Sequence, residues 1–126
     1  MIIGIGTDLV EVSRIASSIE KYGDRFKNRI FTKTEQEYCD ARPKTSALHY
    51  AARFAVKEAF SKAIGTGAAQ GFVWSDIGVR NEPSGKPVLE LSGVLKERWE
   101  KYVLHVTISH TQNHAVGVVV IEDVSK

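Results

Sequence analysis

The stretch Thr45–Ile64, TSALHYAARFAVKEAFSKAI, decides the fold. It is rich in alanine, the strongest helix former, and contains neither glycine nor proline. Gly65-Thr66-Gly67 follows and stops it. At about 100° per residue, Glu58 and Lys62 project to the same side as Ala51, Ala55 and Ala59. A small-residue stripe should lie against something, and charges placed on it must be paired or meet a ligand. Two readings stay open. One is a solvent-facing Glu–Lys pair worth ~0.3–0.5 kcal/mol. The other is a site where small alanines let a bulky ligand or another subunit come close. Arg53 and Lys57 fall on a different side, one turn apart, and read as solubilising charges.

Outward from this helix, the N-terminal side holds a strand and two more helices. Residues 2–6 alternate around Ile3 and Ile5 and read as a short buried strand. Ser13 is a candidate N-cap for a helix with Ile15, Ile19 and Tyr22 one turn apart, ended by Gly23. Thr32-Lys33-Thr34-Glu35 is a capping-box pattern and predicts a helix over 33–41, interrupted by Pro43. On the C-terminal side, residues 77–81 and 87–91 read as strands around the turn Glu82-Pro83-Ser84-Gly85. Ser92 can cap a helix through Trp99. Residues 104–109 and 115–121 read as a hairpin across 110–114. The order predicts one α+β domain over 1–126, with an antiparallel sheet packed against the long helix.

The 126 residues are 43% hydrophobic and 25% charged, which excludes disorder, collagen and coiled coil. No apolar run approaches the ~20 residues of a membrane span, so no membrane partner is expected. The N-terminus has no basic leader, and Asp8 interrupts its apolar stretch, so it reads as a strand rather than a signal peptide. Cys39 is the single cysteine, which rules out an internal disulfide and fits a cytoplasmic location. A net charge of +2 is too mild to imply nucleic acid. The charge is uneven, however. Arg14, Lys21, Arg25, Lys27, Arg29 and Lys33 face only Glu20 and Asp24, an excess that suits an acidic partner or phosphate, or an ordinary solvated helix face.

Asp8 follows the predicted first strand, where a carboxylate is either a metal ligand or a turn former. Gly4 and Gly6 are too few for a phosphate-binding fingerprint. His110 sits where a strand gives way to a loop, between Ser109 and Thr111, whose hydroxyls can hold phosphate or order a histidine; the other reading is an ordinary surface or satisfied histidine. The histidines lack zinc spacing, and no Gly-x-Ser-x-Gly elbow exists.

Four blocks together resemble the small bacterial 4′-phosphopantetheinyl transferases, the holo-[acyl-carrier-protein] synthases. They are Ile3-Gly4-Ile5-Gly6-Thr7-Asp8 followed by Arg14-Ile15, the run Arg53 to Gly67, Gly85-Lys86-Pro87, and Ile108-Ser109-His110-Thr111. The run containing Lys57-Glu58-Ala59-Phe60-Ser61-Lys62-Ala63 is the most specific. The resemblance implies transfer of the phosphopantetheine arm of coenzyme A to a serine of apo-acyl carrier protein, supporting fatty acid biosynthesis. Adenosine 3′,5′-bisphosphate would be released. It implies Mg²⁺ held by Asp8 and Glu58, and a homotrimer with sites between subunits. Lys62 would contact the phosphates, and Arg53 would bind phosphate or the nucleotide end. Gly65, Gly85, Lys86 and Pro87 would pass close to the nucleotide. Ser109, His110 and Thr111 would reach coenzyme A from a neighbouring subunit. Arg14, Lys21, Arg25 and Arg29, with apolar help from Phe26, would receive the acidic carrier protein. Basic residues are common near position 45 in this family, whereas this chain has Thr45 after Lys44. Two other classes fit the same residues. One is a metal-dependent phosphohydrolase using Asp8, Glu58 and Lys62 with water as nucleophile. The other is a basic RNA-binding module, which lacks interleaved aromatic and basic residues here.

Overall fold

The computed structural model describes residues 1–65 and 72–125. Thr66 and Gly67, read above as part of the stop signal, lie outside them. The chain runs β1 (Ile2–Glu11), α1 (Val12–Tyr22), α2 (Asp24–Ile30), α3 (Lys33–Asp40), a 3₁₀ turn (Pro43–Thr45) and α4 (Ser46–Ala63). A second 3₁₀ turn (Trp74–Asp76) leads to β2 (Ile77–Asn81), β3 (Pro87–Leu91), α5 (Gly93–Trp99), β4 (Val103–His110) and β5 (His114–Glu122). One antiparallel sheet has the order β1-β5-β4, and β2 and β3 form a separate hairpin. Among the described residues, no helix is long and apolar enough to cross a membrane.

The alanine stripe of α4 packs on its own sheet, not on a ligand or a second chain. Ala51, Ala55 and Ala59 are fully buried. The sheet answers with glycine where the helix comes closest. A Cβ on Gly6 would sit 1.9 Å from the Ala59 carbonyl oxygen, and one on Gly117 would sit 2.8 Å from the Val56 amide nitrogen. Gly4 and Gly6 therefore serve helix docking. Two apolar clusters flank α4. One gathers Ile15, Ile30, Phe31 and Tyr50 beneath α1 to α3. The other joins Phe60 to Ile77, Leu95 and Val119. Cys39 is buried, and burial pushes its thiol up to about 12, far from reactivity.

Several local expectations change. The first strand runs to Glu11, because pairing with β5 continues from Gly4↔Ile121 to Glu11↔His114. Asp8 thus lies within the strand, opposite Gly117. Ser13 is not the cap of α1, whose N-cap is Glu11. The Val12 amide donates instead to the Asn113 carbonyl at 2.9 Å, so the β4–β5 turn supplies the acceptor. Ser92 does occupy the N-cap position of α5 but makes no side-chain capping bond. Thr32 and Glu35 form the full capping box, with reciprocal bonds of 3.1 and 2.9 Å. Arg53 and Lys57 are not solubilising charges. Both are buried, at 2% and 0% exposure. Lys57 Nζ pairs with Glu35 Oε1 at 2.8 Å and donates to the Trp74 and Ile77 carbonyls.

Candidate active site

An acidic pair with two cations sits where α4 and α1 meet β1. On β1, Asp8 shares the inward face with Gly6 and Val10, the face covered by α4. Lys62 Nζ donates to Asp8 Oδ1 at 3.0 Å and to the Thr7 carbonyl at 3.1 Å. Glu58 lies one turn earlier on α4 and is half-buried. Burial and the Asp8 carboxylate push its carboxyl above the usual range, while Lys62 and Arg14 pull the other way. The structure therefore brings Asp8, Glu58 and Lys62 together and adds Arg14. A carboxylate whose proton affinity is raised by its neighbour's charge, as that of Glu58 is by Asp8, suits a cation between the two. An all-oxygen pair matches Mg²⁺, which takes one or two carboxylates and fills its shell with phosphate oxygen and water. Among the described residues, no third His, Cys, Asp or Glu joins such a group.

A second cluster lies on the opposite side of α4. There Arg53, Gly85, Pro87 and His110 line one cavity of about 220 Å³ with Tyr38, His49 and Asn81. The Arg53 guanidinium lies over the Tyr38 ring, 4.2 Å from its centroid. Its Nη2 donates to Asn81 Oδ1 at 2.5 Å and its Nη1 to the His49 carbonyl at 3.3 Å. Its Nε is buried and has no acceptor among the described residues. Arg42 also lies over Tyr38, at 3.7 Å, and lines an adjoining cavity of about 350 Å³ that shares Tyr38, Asn81 and Gly85. Burial lowers the pKa of His49, and Arg53, Arg42 and His110 lower it further, so its ring is neutral at pH 7.

The remaining sequence candidates are dispersed. Ser109 is paired with Val116 and lies on the sheet face opposite His110. Thr111 Oγ1 accepts from the Asn113 and His114 amides at 3.3 and 3.2 Å, closing the β4–β5 turn. Lys86 is exposed, and Gly65, with φ +84°, follows the Ile64 C-cap of α4 with no described residue close to where its Cβ would be. Of the basic segment, Arg25, Phe26 and Arg29 line a groove of about 410 Å³ with Tyr22. Lys21 lies over the Tyr22 ring at 5.2 Å. Arg14 instead approaches Phe54, at 5.9 Å, beside the acidic pair. Tyr38, His49 and Asn81 escaped the sequence reading. Asn81 alone carried a local signal, standing immediately before the Glu82–Gly85 turn.

Residues 4–119 match the 4′-phosphopantetheinyl transferase superfamily. A holo-[acyl-carrier-protein] synthase of Protochlamydia amoebophila is 47% identical over 120 residues, covering 95% of this chain and 98% of that protein. The crystal structure of the Neisseria meningitidis holo-[acyl-carrier-protein] synthase superposes with a TM-score of 0.87 at 33% identity. It covers 98% of this chain and 100% of that one. A Bacillus anthracis holo-(acyl-carrier-protein) synthase, solved in complex with CoA (3′,5′-ADP), superposes with a TM-score of 0.83 at 38% identity, covering 98% of each chain. With the matched segment running from the first strand through most of the last, this chain belongs to the 4′-phosphopantetheinyl transferase superfamily.

Proposed function

We propose that this protein transfers the 4′-phosphopantetheine group of coenzyme A to a serine of apo-acyl carrier protein. The observation that carries this reading is the meeting of Asp8, Glu58 and Lys62 at one edge of α4, in a chain of this family. The serine oxygen bonds to the phosphorus bearing the pantetheine arm. The bond from that phosphorus to the bridging oxygen breaks, and adenosine 3′,5′-bisphosphate leaves. The step crowds negative charge onto phosphate oxygens, so its barrier falls where fixed cations meet that charge. Asp8 and Glu58 would hold Mg²⁺, which neutralises the diphosphate when bound. Lys62 contacts the phosphates and stabilises the departing bisphosphate. Glu58, whose surroundings raise its proton affinity, is a candidate to take the serine proton. Arg53 binds the nucleotide end as a rigid planar fork. The groove of Arg25, Phe26 and Arg29, with Lys21 over its Tyr22 wall, receives the acidic carrier protein, and Arg14 meets that partner from beside the acidic pair.

The working unit in this reading is a homotrimer. Asp8 lies on β1 and His110 on β4, with β5 between them, so roughly 10 Å of sheet and the body of α4 separate the two clusters. A head-to-tail ring sets the β1 side of one chain beside the β4 side of the next, joining the clusters in one site. His110 and Arg53 of one subunit then complete the site built on the neighbour's acidic pair.

The test combines the protein with apo-carrier protein, coenzyme A and Mg²⁺, and weighs the carrier protein. The expected result is a gain of one phosphopantetheinyl unit, abolished by Glu58→Ala. Coenzyme A consumption with an unchanged carrier mass would identify a phosphohydrolase instead.

A further inference from the structure

We propose that Asn81 is a positioning residue for coenzyme A, tying the Arg53 guanidinium to the Glu82–Gly85 turn so that both present one fixed surface to the nucleotide end. This inference rests on the functional reading above. Asn81 is the last residue of β2, and its amide uses both ends. Its Oδ1 accepts from Arg53 Nη2 at 2.5 Å, and its Nδ2 donates to the Gly85 carbonyl at 3.0 Å. Partner chemistry fixes the orientation, since arginine only donates and a carbonyl only accepts. A carboxylate, a hydroxyl with its single hydrogen directed elsewhere, or an ammonium cannot reproduce this pair of bonds.

Each end of the link is held from behind. The turn is closed by Gly85 N to the Glu82 carbonyl at 2.7 Å and by Glu82 N to the Lys86 carbonyl at 2.9 Å. Gly85 has φ +92°, which a side chain would strain. Arg53 rests on Tyr38 and on the His49 carbonyl. Against this, Arg53 Nε is a buried donor with no acceptor among the described residues, in a residue only 2% exposed. Native interiors rarely leave such a donor unpaired, so the described residues alone do not fully satisfy the guanidinium of a residue that lines the cavity shared with His49 and His110. Asn81 does not supply that donor. It prevents the fork from swinging to find another partner, and it keeps the turn at the fork's distance.

The experiment measures KM for coenzyme A and for carrier protein, and kcat, in the full-length protein with Mg²⁺. Asn81→Ala is expected to raise the coenzyme A KM about tenfold, the equivalent of about 1.4 kcal/mol, with kcat within about twofold and the carrier KM unchanged. Asn81→Asp keeps the acceptor for Arg53 but sets a second acceptor against the Gly85 carbonyl, so its coenzyme A KM also rises. In an Arg53→Met background, Asn81→Ala is expected to change coenzyme A affinity less than about twofold, because the residue acts through Arg53. A uniform loss of kcat with both KM values fixed, or full additivity with Arg53→Met, would show a merely structural residue and overturn the proposal. If Asn81→Ala folds poorly, the Asn81→Asp variant and calorimetric coenzyme A binding decide the matter by the same criteria. A wild-type protein that leaves the carrier mass unchanged refutes the functional reading. A wild-type protein that transfers, beside an Asn81→Ala variant with normal coenzyme A KM, refutes only the role of Asn81.

Discussion

Lys57 and Glu35 carry opposite charges with no solvent contact on either side chain. Burial drives the Lys57 amine below its ordinary range, and the Glu35 carboxylate opposes that drive. All three ammonium hydrogens have acceptors, one on Glu35 and two on backbone carbonyls beside β2. Glu35 in turn accepts from the Val79 amide at 3.0 Å and closes the α3 capping box. The pair therefore fastens α3, α4 and β2 to one another, and β2 ends in Asn81. Lys57→Met leaves a buried carboxylate without its cation and is expected to cost about 3–5 kcal/mol. Urea unfolding at pH 7 checks this, and Lys57→Met with Glu35→Gln should lose less than Lys57→Met alone. A single variant within about 1 kcal/mol of wild type would show that the pair does not fasten these elements. This pair also marks a limit of reading charges from helical spacing. Placing Arg53 and Lys57 on a side away from the alanines was sound geometry. That this side is also buried depends on how α3 and β2 fold back over α4, which helical spacing within α4 does not carry. The Arg53–Tyr38–Asn81 arrangement was illegible for the same reason, because its members come from three elements. Asp8, at a predicted strand end, and Glu58 and Lys62, on the alanine side of α4, each carry a local signal, but only the family resemblance joins the three in one site.

At the scale of elements, what could be read was what is local. The capping box of α3 needs only residues 32–35, and both of its bonds form. The β2–β3 hairpin needs only its turn, and its bounds match the reading. The helix α2, DRFKNRI, has too few residues to display a period and went unread. The start of α1 was misplaced because its first amide finds its acceptor across the fold, on Asn113. Gly4 and Gly6 likewise carried a meaning visible only once α4 lay on β1. Their role gives the second prediction of stability. In Gly6→Ala the new carbon meets the Ala59 carbonyl and the Ala63 amide, 1.9 and 2.9 Å away. Both are helix backbone and cannot rotate aside, so α4 must lift from the sheet. The expected loss is about 3 kcal/mol or more, read as a lowered midpoint in thermal unfolding. Lifting α4 also separates Glu58 and Lys62 from Asp8, so transfer activity should fall at temperatures where the variant is still folded.

For the whole molecule, the sheet has two faces and the described residues cover one. The face toward α4 holds Val10, Ala115, Val119 and Ile121, all buried. The other presents Ile5 and Leu9, 68% and 67% exposed, with Val116, Val118 and Val120 between β1 and β4. An uncovered apolar sheet face of this kind suits contact with further copies of the chain, and a closed ring removes it from water in every subunit. Leu9→Glu tests this directly. Leu9 touches water in the single chain, so a carboxylate there leaves the subunit fold intact, with an unchanged far-ultraviolet spectrum. In a ring, the same carboxylate enters an apolar contact without a partner, which costs several kcal/mol per subunit. Sedimentation equilibrium is expected to give three chains for the wild type and one for Leu9→Glu. Because the Arg53–His110 cluster and the Asp8–Glu58 pair face opposite sides of α4, the monomer should also lose transfer activity while each cluster stays folded. A monomeric Leu9→Glu that retains full activity would place the complete site within one chain and remove the need for a ring.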